Sequence, residues 1–107
     1  MQIIVRHDDT ISGSERLTES VSATVEDALG RFREQITHVE VHLADENGRK
    51  TGGDDIRCSI EARVAGRPPT AVTHHASNLD IAVDAAADKM ARMLDHQLSR
   101  IRENAGG

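Results

Sequence analysis

The chain has 107 residues, 18 acidic and 13 basic, for a net charge of −5, which is one domain's length and allows one modest core holding roughly 65% of the unfolded surface. With 37% hydrophobic and 29% charged residues it is not a disordered composition, and a single aromatic residue, Phe32, makes the core aliphatic. One cysteine, Cys58, excludes an internal disulfide framework and fits a reducing compartment, the cytosol. The first six residues are too short for a secretory apolar region, and no run approaches the ~20 residues that cross a bilayer.

Gln2–Arg6 is β-rich and ends in the turn-like HDDTISGS, so a first strand is expected there. Ser14 offers an N-cap, and Leu17, Val21, Val25, Ala28, Leu29 and Phe32 then recur at helical spacing to about Arg33. From Ile36 the period becomes two: Val39, Val41 and Leu43 alternate with His38, Glu40 and His42, up to the turn signal Asn47-Gly48. After the loop GRKTGGDD, Ile56, Cys58, Ile60, Ala62 and Val64 form the apolar side of a third strand. Pro68-Pro69 precede a last strand, Thr70–Ala76, and suit an edge position. Ser77 or Asn78 caps a second helix, whose stripe runs from Leu79 through Met90 and Leu94 to Ile101 and ends near Asn104, with 105–107 expected to fray.

The order β-α-β-β-β-α predicts a single domain over 1–107. Strands joined through a helix run parallel with a right-handed crossover, and the three later strands form an antiparallel meander. Each strand has one apolar face, so both helices belong on the same side. The expected fold class is α+β: a two-layer sandwich with a four-stranded mixed sheet, two helices on one face and the other face open.

A net negative charge opposes indiscriminate polyanion binding, but beyond a Debye length of about 8 Å local patches decide. On the second helix Lys89, Arg92, His96 and Arg100 fall within about 80° of one another, while Asp84, Asp88 and Asp95 gather on the opposite flank. On the first helix Arg16 and Arg31 share one flank, and Glu15, Glu19 and Glu26 the other. Two adjacent helices of this kind are expected to present a shared basic groove. From pattern alone, solvated decoration is the more economical reading, because charges beside an apolar stripe are what solubility requires.

The segments ITHVEVHLADENG, DIRCSIEARVAG and NLDIAVDAAADKMARML, taken with the short first strand, give the chain a likeness to a known family. It resembles the ribosome hibernation-promoting and ribosome-associated translation-inhibitor proteins, once called sigma-54 modulation proteins, in a short form. AVDAAADKMARML is the sharpest match. The resemblance implies a fold like the double-stranded-RNA-binding domain, and binding to the small ribosomal subunit and its ribosomal RNA to silence translation in stationary phase or stress. It implies no enzyme activity, no cofactor, no metal and no membrane. Lys89 and Arg92 would face RNA, followed by His96, Arg100, Arg16 and Arg31. Asp80 stands where the family commonly has tyrosine.

Other chemistry is poorly supported. His38 and His42 lie about 13 Å apart along a strand, and adjacent His74 and His75 point to opposite faces, so neither pair holds an ion. GRKTGGDD lacks the order of a phosphate loop, and nucleophile signatures are missing. The rival reading is a protein-interaction module, with a homodimer through the open sheet face, where Ile4, Arg6, Glu40, His42, Arg57, Glu61, Arg63 and His75 are expected.

Overall fold

The alternating and helical patterns become a four-stranded sheet and two long helices in the computed structural model, which describes residues 1–46 and 55–106, with side chains through Ser99. The expected Asn47-Gly48 turn and the rest of the loop through Asp54 lie outside the described residues, as does Gly107. Strand β1 spans Gln2–His7, helix α1 Glu15–Leu29, β2 Ile36–Asp45, β3 Ile56–Val64, β4 Thr70–Ala76 and helix α2 Leu79–Gly106. A 3-10 turn, Gly30–Phe32, extends α1. That extension is why the apolar spacing reaches Phe32 although the α-helix itself stops at Leu29.

The sheet order is β1-β2-β3-β4, with β1 parallel to β2 and the remaining pairs antiparallel. Helix α1 packs beside β1, α2 covers β3 and β4, and the two helices touch along their length. Both therefore lie on one face. Val21, Val25, Leu29 and Phe32 from the first helical segment meet Val83, Ala86, Met90 and Leu94 of α2 over Val39, Val41, Leu43, Cys58, Ile60 and Ala62. The core is aliphatic apart from Phe32, and no polar side chain is buried among the described residues. Fully buried residues such as Leu29 and Ile60 each stabilise the fold by about 1.5–3 kcal/mol relative to exposure.

One irregularity sets the phase of β2. Ile36 and Val39 are both buried although three residues apart, which strict alternation forbids. A bulge resolves the conflict: Ile36 pairs with Val64 while His38 pairs with Arg63, leaving Thr37 as the extra residue. Its hydroxyl donates to Arg63 O at 3.1 Å.

Candidate nucleic-acid interface

Helix α2 starts where Ile81 N donates to the Asn78 side chain at 2.9 Å, so Asn78 is the cap. Its buried face, through Val83, Ala86, Met90 and Leu94, fixes which flank looks where. Lys89 Nζ donates to the backbone oxygen of Thr73 at 2.8 Å, and Thr70 Oγ1 donates to Gln97 Oε1 at 3.1 Å. The Lys89 flank therefore overhangs β4, the edge of the sheet. Arg92 rises on the crest, its side chain 80% exposed, and pairs with Asp88 at 2.9 Å. His96 is exposed one turn further on. Arg100 follows on the helix, but its side chain lies outside the described residues.

The shared basic groove expected from the helical angles does not form. The groove between α1 and α2, about 580 Å³, is lined by Thr24, Asp27, Ala28 and Arg31 on one side and Asp84, Ala87, Asp88 and Ala91 on the other. A narrower hollow along the same seam adds Asp80. The groove is acidic because α2 turns its acidic flank toward α1 and its basic flank outward. Helical angles separate two flanks but do not say which one meets the neighbouring helix; that follows from the side of the sheet each helix covers. Arg31 enters the groove yet pairs with Asp95 at 3.8 Å and lies over the Phe32 ring, 4.6 Å from its centroid. Arg16 is exposed in the first turn of α1.

Two of the expected cations are thus engaged by carboxylates. Both pairs are solvent-exposed, with side chains 58–80% accessible, and such pairs contribute about 0–1 kcal/mol. An incoming phosphate can displace them. Lys89 keeps two of its three ammonium protons after bonding Thr73. What remains is a narrow edge of Lys89, Arg92 and the exposed His96: Lys89 overhangs β4 away from the acidic groove, and Arg92 stands on the crest beside Asp88. The anchors Thr73 and Gln97 escaped sequence reasoning, since neither signals its role until α2 is placed over β4.

The open face carries alternating charges, several of which pair with one another. Arg6 lies 3.9 Å from Glu40, which also meets His42 at 3.5 Å, and Glu46 is shared by Arg57 and His75. Ser59 and Thr73 hydroxyls bond at 3.0 Å across β3 and β4. No group of three or more His, Cys, Asp or Glu converges as a metal cage among the described residues. Cys58 is on the inner face, and burial pushes its thiol up to about 12.

This layered arrangement, two helices over a mixed four-stranded sheet, is shared with proteins of known structure. The N-terminal domain of Protein Y from Thermus thermophilus superposes with a TM-score of 0.71 at 17% identity, covering 90% of this chain and 98% of that one. A ribosomal subunit interface protein from Coxiella burnetii gives 0.69 at 15% identity, covering 92% and 99%. No curated protein matches the sequence. Residues 5–102 match the family described as Sigma 54 modulation protein / S30EA ribosomal protein, and the chain belongs to that family of ribosome-associated factors.

Proposed function

We propose that this protein is a non-catalytic factor that binds the small ribosomal subunit and inhibits translation by occupying a site there, in stationary phase or under stress. The interface is the outer edge of α2: Lys89, Arg92 and His96, continued by Arg100, contact ribosomal RNA phosphates. Arg16 and Arg31 are secondary contacts. A ribosome-bound role places the protein in the cytoplasm. The observation that carries this reading is the gradient of charge across α2, from Lys89 over β4 on the outer flank, through Arg92 on the crest, to Asp84 and Asp88 along the interhelical groove. A surface merely kept soluble has no need to separate the two signs. The family match supports the ribosome as the partner.

Phe32, the one Phe, Tyr or Trp, is 6% exposed and offers no stacking platform. Contacts are to phosphate, sugar and helix shape. With three or four cations engaged, log affinity falls against log salt with a slope of about −2 to −4. Sucrose-gradient sedimentation with purified subunits at low and high salt tests the proposal. Wild type is expected with the small subunit at low salt and free at high salt, and the Lys89→Glu/Arg92→Glu variant is expected free at both. Sedimentation of the wild type away from the small subunit at low salt refutes the reading.

A further inference from the structure

The two edges of the sheet are treated differently. Strand β4 follows Pro68-Pro69 and has its Thr73 carbonyl occupied by Lys89, devices that discourage strand addition. Strand β1, the other edge, reads QIIVRH and contains neither lysine nor proline. Its Ile3, Ile4 and Val5 are only half-buried.

The direction of β1's free backbone groups follows from one bond. Asp8 N donates to Leu43 O at 3.4 Å, continuing the register in which His7 pairs with Leu43. In a parallel ladder a residue sends its N–H and C=O to the same neighbour, and the next residue sends both the opposite way. Ile4 and Arg6, in phase with Asp8, therefore bond β2, whereas Ile3, Val5 and His7 aim their backbone groups outward.

We propose that β1 is the seam of a symmetric dimer, pairing antiparallel with β1 of a second copy about a dyad at Ile4. In that register Ile3 faces Val5 of the second copy, Gln2 faces Arg6 and Ile4 faces itself. The outward-pointing residues Ile3 and Val5 meet as hydrogen-bonded pairs, as an antiparallel ladder requires, and Ile4 falls at a non-bonded position where side chains approach most closely. Ile3 and Val5 already pack against the core, so pairing continues the apolar layer from one copy into the next. No like charges are opposed at the three central positions. A dyad at Val5 would put Arg6 opposite Ile4 and His7 opposite Ile3, breaking the apolar pairs, so the sequence favours Ile4. The open face offers a weaker seam, because Arg6, Glu40, Arg57 and Glu46 already pair within one chain. A strand this short buries less than a standard interface, so the dimer is reversible.

The proposal does not depend on ribosome binding, and its test uses the isolated full chain. At the dyad, Cα atoms about 4.5 Å apart suit a disulfide, whereas two residues at position 2 stand about 14 Å apart along the strands. Under mild oxidation Ile4→Cys is expected to form linked dimer at least about tenfold faster than Gln2→Cys, the cost of separating thiols by that distance exceeding one decade. Cys58 is buried and does not compete. Equal rates, or no linked dimer from either variant, overturn the proposal. Sedimentation equilibrium gives a second reading: mean mass is expected to rise with concentration for wild type and to stay monomeric for Ile4→Lys, with a thermal melt confirming that the variant folds. A wild type that remains monomeric to roughly millimolar concentration overturns it as well.

Discussion

Thr10 ties together three parts of the chain. Its hydroxyl donates to the Asp8 carboxylate and accepts from Asp45 N at 2.9 Å, while its own N–H donates to Asp8 Oδ1 at 3.0 Å. The turn after β1 is thereby fastened to the end of β2. These bonds favour the charged carboxylate, so Thr10, first through its side chain and then its backbone, holds Asp8 below its ordinary value of 3.8. A depressed carboxylate stabilises the fold above the unfolded value, and that contribution is lost as pH falls through the folded one. The loss therefore comes below about pH 3.8 and leaves neutral pH untouched. Thr10→Val should move the Asp8 titration back toward 3.8, read by carboxyl NMR. Cys58 behaves in the opposite sense. Burial raises its thiol to about 12, so at neutral pH it is protonated and enclosed. Thiol-reactive dye should label the native protein only at the rate of global opening and label it at once in denaturant; fast labelling of folded protein would contradict the buried placement.

The helices, strands and their order were legible because each depends on local signals: period two in β3, a cap before each helix, prolines before an edge strand. Ser14 accepts from Leu17 N at 3.1 Å and Asn78 from Ile81 N at 2.9 Å. Ser14→Ala and Asn78→Ala should each cost about 0.5–2 kcal/mol, measured as a shifted urea midpoint with unchanged slope. The bulge at Thr37 was less legible, though its trace was present: Ile36 and Val39 stand three apart at the mouth of an otherwise alternating run. Only the pairing of Ile36 with Val64 turns that misfit into geometry. The basic stripe was legible as residues but not as a surface. Lys89 illustrates the difference, since it serves the edge strand as well as the cationic flank. Lys89→Met should weaken ribosome binding while changing stability by less than about 1 kcal/mol, as the lost bond is exposed. A large fall in the urea midpoint would instead make Lys89 chiefly a structural clamp.

At the scale of the whole molecule, the proposed function has an anionic protein approach an anionic target, an encounter in which the arrangement of charges matters more than their sum. Asp27, Asp80, Asp84 and Asp88 lie along the interhelical seam, and the cationic flank of α2 faces away from it. In the proposed complex this uneven distribution would favour approach with the Lys89 flank toward phosphate. Asp88 pairs with Arg92 directly, but Asp27 and Asp84 would act at a distance from the proposed interface, so salt should remove their influence once the Debye length, about 8 Å at physiological strength, falls below their separation from the RNA. The Asp27→Asn/Asp84→Asn variant, which leaves the Arg92–Asp88 and Arg31–Asp95 pairs in place, is therefore expected to bind the small subunit faster than wild type at low salt and equally at high salt. The off-rate should change little, because neither side chain belongs to the cationic edge. Stopped-flow association at several salt concentrations separates the terms. A rate gain that persists at high salt would mean that the groove itself touches the ribosome, which the outward placement of Lys89, Arg92 and His96 argues against.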